Sequence, residues 1–245
     1  MRTLRFGRNG ARQSVVRIGD PDHLELLYTR VILASLAFVG NPQRVLIIGL
    51  GGGTIPSFLH KHFPRTIVDV VEVDEYVVDA ASRFCDFREE ATLHVYVEDG
   101  RRFIEECRDL YDIIILDCYG SQGIPYHLTT LEFLKSVREI LTTEGVLVGN
   151  VWSKASNASY DSMLQTYLCV FGGVYVVGVP GRDTKILLGP RHERRLPQEE
   201  MVRYAREVSH RKHFRFDLGK IITHGFWLVE GARSRGRILT DQARR

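Results

Sequence analysis

The sequence predicts a doubly wound α/β fold, and three observations carry that expectation. Residues 44–49 (RVLIIG) form a continuous apolar run rich in β-branched side chains, the pattern of a strand buried on both faces in a parallel sheet. Further strand-like runs recur at 67–73, 93–97, 112–116, 146–151, 174–179 and 184–188. The intervals at 55–62, 75–84, 101–107, 131–141 and 159–171 carry apolar residues at helical spacing.

Before this alternation, residues 2–20 read as short extended pieces broken at Gly7 and Gly10, so 1–20 is expected to be a small N-terminal β appendage. Residues 22–38 place Leu24, Leu27, Val31, Ala34, Leu36 and Phe38 close to one helical stripe, which Gly40-Asn41-Pro42 stops. Residues 21–230 are then expected to form the main α/β domain, with 231–245 (GARSRGRILTDQARR) a loose basic tail.

Composition bounds the function. The chain has 245 residues, 33 Lys+Arg against 30 Asp+Glu, 44% hydrophobic and 26% charged residues, which argues against long disorder. The longest nearly uncharged apolar stretch, 31–39, is far short of the ~20 residues of a membrane helix, and the polar N-terminus lacks a signal-peptide core, so a cytoplasmic protein is expected. Cys85, Cys107, Cys118 and Cys169 occur singly, so neither a zinc cage nor a disulfide framework is expected. Residues 191–215 hold eight Lys/Arg against four Glu. That fits a nucleic-acid surface, but Met201, Val202, Ala205 and Val208 recur at helical spacing, which favours a solvated helix with its arginines outward.

The chemistry is concentrated at the ends of the expected strands. After the first comes Gly49-Leu50-Gly51-Gly52-Gly53, with Thr54-Ile55-Pro56 opening a helix. Such a loop lets backbone approach a ligand while the helix start offers N–H groups, although it also serves as a tight turn. The second strand ends at Glu72, 23 residues after Gly49, where a carboxylate can accept from both hydroxyls of a ribose. A solvent-exposed strand-end acid is the other reading. The G-x-G-x-x-G order of a dinucleotide site is absent, so a single nucleoside is the better match. The third strand ends in Asp99-Gly100, suited to accept from an adenine amino group, and the fourth in Asp117, whose following loop should face the reacting centre.

Taken together, GLGGG, VVEVDEYVVDAA, VEDGRRFI, YDIIILDCYG and FLKSVREILTTEGVLVGNV resemble the catalytic core of spermidine synthases and related polyamine aminopropyltransferases, over about residues 13–151. The resemblance implies a seven-stranded, mostly parallel, Rossmann-like sheet of the class I methyltransferase type behind the N-terminal β appendage. It also implies a homodimer, decarboxylated S-adenosylmethionine as donor, a small-molecule amine as acceptor, and no metal. It assigns Gln13, the loop glycines Gly49, Gly51, Gly52 and Gly53, Glu72, Asp99, Gly100 and Asp117 to the donor, with Asp117 the first carboxylate of a catalytic D-x-x-D.

Two positions depart from the family pattern. Thr54 stands where an aspartate holds the donor's ammonium, and Gly120 where the second aspartate of D-x-x-D positions the amine. The family's Y-H-E is not recognisable around Leu27-Tyr28-Thr29. Aminopropyl transfer therefore has a rival in methyl transfer from intact S-adenosylmethionine, whose carboxylate a neutral Thr54 at a helix start would tolerate. A non-catalytic nucleoside- or RNA-binding module is the third reading. Tyr119, Gln122 and Tyr126 are candidates for acceptor recognition, with core packing the alternative for the tyrosines. His127 is a candidate base or a structural loop histidine.

Overall fold

The computed structural model describes residues 1–5, 12–120, 123–192, 195–223, 225–231 and 236–244. Strands β1 (Arg2–Arg5) and β2 (Arg12–Val16) pair antiparallel as a separate hairpin. Helix α1 (Leu27–Ile32) runs into a 3-10 turn at Leu33–Ala37, shorter than the expected helix and without a side-chain cap.

The α/β unit follows: β3 (Arg44–Ile48), α2 (Thr54–His62), β4 (Ile67–Glu72), α3 (Glu75–Phe84), β5 (Leu93–Val97), α4 (Gly100–Glu106) and β6 (Tyr111–Leu116). It continues with α5 (Leu131–Glu139), β7 (Leu141–Trp152), α6 (Tyr160–Phe171), β8 (Gly173–Gly178), β9 (Thr184–Pro190), α7 (Gln198–Arg211), α8 (Leu218–Thr223) and β10 (Phe226–Glu230). The sheet order is β10-β8-β9-β7-β6-β3-β4-β5, parallel from β7 through β5 and antiparallel beyond.

The expected count of seven strands becomes eight. The extra strand, β10, pairs antiparallel with β8 at the sheet edge, and its alternation of half-buried and exposed residues gave too weak a pattern to read in the sequence. β3 explains the buried run: Val45 and Ile47 face one core with α2, α7 and α8, while Leu46 and Ile48 face the other with α4, α5 and α6. Met201, Ala205 and Val208 of α7 are buried in the first of these, as helical spacing predicts.

The expected loose tail also needs correction, because residues 236–242 lie as a strap across α5 and α6. Leu239 packs against the second core, its N–H donates to Thr166 Oγ1 (3.0 Å), and its carbonyl accepts from Leu131 N (2.7 Å). Ile238 and Leu239 are the tail's two large apolar residues, and backbone hydrogen bonds with Asp241 supply the remaining attachment.

The strand order reverses direction between β3 and β6, the switch point where an open α/β sheet leaves a crevice at its carboxyl edge. The loops after both strands open there. They are tied at their roots by Asp117 N to Ile48 O (2.9 Å) and Gly49 N to Val71 O (2.8 Å).

Candidate active site

A cleft of about 890 Å³ occupies this crevice and brings together Gln13, Gly49, Gly51, Glu72, Asp99 and Asp117. Gly100, Tyr119 and His127 also line it. Tyr126 does not: its hydroxyl donates to Thr240 O (2.9 Å) in the strap, so the reading of Tyr126 as an acceptor ligand is corrected. Gln122 lies outside the described residues.

The glycine loop is shaped by close approach. At Gly52 a Cβ would sit 2.8 Å from Ser14 Oγ and Val16 Cγ2, so glycine is what lets β2 lie against the loop. Gly53, with φ 75°, starts α2 without a side-chain cap, leaving first-turn N–H groups for a polar ligand. Ser14 Oγ and Thr54 Oγ1 sit 3.2 Å apart, a neutral hydroxyl pair at the position of the missing family aspartate.

Glu72 is built into this loop. Its Oε2 accepts from Leu50 N (3.0 Å) and its Oε1 from Asp74 N (3.1 Å), which fixes the carboxylate at the tip of β4 with a lone pair to spare on each oxygen. Beside it Val73, 69% exposed, presents an apolar surface into the cleft on which a flat base can pack.

Asp99 caps α4. Its Oδ1 accepts from Arg101 N (3.0 Å) and Arg102 N (3.1 Å), while Oδ2 lies 2.8 Å from His127 Nε2. Burial pushes its pKa up, but the hydrogen bonds from Arg102, His127 and Arg101 outweigh that and hold it below the ordinary carboxylate value. His127 is thus committed to Asp99 at the α4 end of the cleft.

At the opposite end Asp117 Oδ1 accepts from Asn150 Nδ2 (2.8 Å) and Oδ2 from Tyr28 O–H (3.2 Å). Burial raises its pKa, partly opposed by these two hydrogen bonds. Desolvation, then the nearby Asp117 charge, raises Tyr28 well above an ordinary phenol, so it stays a donor. The thiol of Cys118 is pushed up to about 12, first by burial and then by Asp117. Tyr119 stacks on Trp152 (4.8 Å between ring centres), donates to Asn150 O (3.1 Å) and accepts from Trp152 N (2.9 Å), which shapes the wall opposite Tyr28.

Tyr28 and Asn150, which line the cleft and hydrogen-bond Asp117, are residues the sequence reading passed over. Asn150 had a signal, since a lone carboxamide in the apolar run VLVGNV must find a partner once buried. Tyr28 lies off the stripe of its helix and signalled only through the 27–29 segment already marked as atypical. Among the described residues no group of three or more His, Cys, Asp or Glu is placed to hold a metal, and no helix is long and apolar enough to cross a membrane.

Comparison with known proteins identifies similar chains among aminopropyltransferases and methyltransferases. The chain is 37% identical over 185 residues to a polyamine aminopropyltransferase of Vibrio vulnificus, covering 73% of this chain and 61% of the relative. It is 31% identical over 209 residues to the eEF1A lysine and N-terminal methyltransferase of Bos taurus, covering 78% of this chain but only 30% of that longer protein. The crystal structure of human methyltransferase-like protein 13 in complex with SAH superposes with a TM-score of 0.69 at 30% identity, covering 76% of this chain and 91% of that one. The model of the spermine/spermidine synthase domain matches residues 25–167, the span from Glu25 through α6 that holds the glycine loop, Glu72, Asp99 and Asp117, and the chain therefore belongs to the spermine/spermidine synthase family.

Proposed function

We propose that this protein transfers an aminopropyl group from decarboxylated S-adenosylmethionine to a small amine acceptor. The observation that carries the reading is Asp117. It is a desolvated carboxylate at the switch point, aimed by Tyr28 and Asn150, and it shares one cleft with Glu72 and the glycine loop. The residues present fit a sulfonium nucleoside, since Gly49 and Gly51 line the cleft without side chains, the uncapped start of α2 opens beside them, and Glu72 keeps free lone pairs for ribose hydroxyls. Such a donor supplies an electrophilic carbon. The protein supplies alignment and a place for the proton.

An alkyl ammonium must lose its proton before its nitrogen can attack, and a carboxylate with a raised pKa receives that proton more readily at neutral pH than an ordinary one. Each Asp117 oxygen keeps one lone pair beyond its bond to Asn150 or Tyr28, enough to orient an incoming N–H. The rest of the rate comes from holding the nucleophile and the electrophilic carbon in line. A homodimer in the cytoplasm belongs to the same reading, on family resemblance.

Methyl transfer from intact S-adenosylmethionine is the second reading, and the Ser14–Thr54 hydroxyl pair favours it because no fixed anion opposes the donor's carboxylate there. Calorimetry with S-adenosylmethionine, its decarboxylated form and methylthioadenosine separates the two. Tighter binding of the decarboxylated donor, with turnover of a diamine, supports aminopropyl transfer, and preference for S-adenosylmethionine overturns it in favour of methyl transfer. Salt-sensitive binding of RNA without turnover of either donor would leave the binding module standing.

A further inference from the structure

The strap meets the cleft through one residue. Arg101 donates from Nη1 and Nη2 to the two carboxylate oxygens of Asp241 (2.7 and 2.6 Å), and Nη1 also reaches the carbonyl of His127 (3.4 Å). The ring of His127 contacts Asp99 Oδ2, and Asp99 Oδ1 accepts from the backbone N–H of Arg101 itself. The circuit Asp241, Arg101, His127, Asp99 and back to Arg101 is therefore closed. Two further ties hold the strap against the same turn: Tyr126 O–H to Thr240 O (2.9 Å) and Asp241 N to Glu132 Oε2 (3.1 Å). The Arg101 hydrogen bond is the first cause holding the Asp241 carboxyl below its ordinary pKa, so the pair stays ionised at neutral pH.

A carboxylate has about four acceptor positions. Asp99 uses two on Oδ1 for the start of α4 and one on Oδ2 for His127, which leaves a single lone pair on Oδ2 toward the cleft. The direction of that lone pair is set by where His127 stands, and His127 stands where Arg101 and the strap hold its turn.

We infer that Asp241 and Arg101 are positioning residues for recognition of the nucleoside's base, acting through the His127 turn to aim the free lone pair of Asp99 at an exocyclic amino group. The inference rests on the nucleoside-donor reading above. It makes residues 236–242 part of the specificity machinery, although they touch no ligand. It also gives a role to an arginine at the start of α4, where a helix dipole disfavours a cation, by holding it in a bidentate pair.

The test is calorimetric titration of the full chain, as wild type, Asp241→Asn and Asp241→Glu, with methylthioadenosine and with methylthioinosine, which carries a carbonyl oxygen in place of the amino group. The wild type should favour the amino base. Asp241→Asn, which keeps the size but loses the ion pair, should shrink that preference by about three- to tenfold. Asp241→Glu should restore most of it, and all three proteins should melt within a few degrees of one another. A purely structural strap would change affinity for both bases alike, so an unchanged preference in Asp241→Asn overturns the inference. If the wild type binds methylthioadenosine but shows no preference, Asp99 does not read the base and the inference falls while the nucleoside reading stands. If the wild type binds neither compound, the nucleoside reading itself fails.

Discussion

The two ends of the cleft are built by different means. The end proposed for the donor is held mainly by backbone N–H groups that follow the strand tips: Leu50 and Asp74 donate to Glu72, and Arg101 and Arg102 to Asp99. The acceptor end is made by side chains from distant elements, with Tyr28 from α1 and Asn150 from β7 converging on Asp117 across separations of 89 and 33 residues. A site held by backbone tolerates change around it. A site held by side chains can be retuned by one or two substitutions, and Gly120, in the loop after Asp117, lies where such retuning acts.

The largest expected effect is at the acceptor end. Asp117→Asn keeps both neighbours but removes the charge, so turnover should fall by about 10² or more while methylthioadenosine affinity stays within about twofold. Full activity in that variant would show that the nucleophile is not an amine or is activated elsewhere. At the donor end Glu72→Ala should weaken methylthioadenosine by roughly ten- to hundred-fold, the loss of ~1.5–3 kcal/mol, with calorimetry as the check. Equal losses in binding from the two variants would erase the contrast between the ends.

Tyr28→Phe sharpens it further. The hydroxyl lowers the Asp117 pKa, so its removal should move the acidic limb of the rate profile to higher pH and lower turnover several-fold at neutral pH. Stability follows with the opposite sign. Because burial raises the Asp117 pKa above its unfolded value, the folded state binds the extra proton, and its contribution is full below the unfolded pKa and lost as pH rises through the raised one. Asp117→Asn should flatten that slope in denaturant titrations across pH. The smallest effect lies outside both ends: Leu239→Ala in the strap should lower the melting temperature by about 2–4 °C, the shift of a ~1 kcal/mol loss in a chain of this size. No shift would mean that Leu239 adds nothing to strap stability.

What the sequence made legible follows the same division. The meeting of the glycine loop, Glu72 and Asp99 at one crevice could be read because strand-end position alone puts them there, and β3 because its uninterrupted apolar run has one stable environment. Tyr28 could not, since nothing in Leu26-Leu27-Tyr28 states that its hydroxyl will meet a carboxylate 89 residues away. His127 was readable as a polar loop residue but not as the partner of Asp99 rather than of Asp117. The strap was missed for a related reason: its attachment is made of backbone groups and one aspartate, and residue hydrophobicity does not report either.

Cys118 gives the acceptor end a second property. Sulfonium nucleosides are alkylating agents, and a thiolate is the strongest nucleophile a protein can place beside one. With its pKa pushed up to about 12, first by burial and then by Asp117, the Cys118 thiol stays protonated at neutral pH. The burial that desolvates Asp117, with the Asp117 charge second to it, thus keeps the neighbouring sulfur protonated, and an electrophile held in this cleft would be protected from being spent on the protein that carries it.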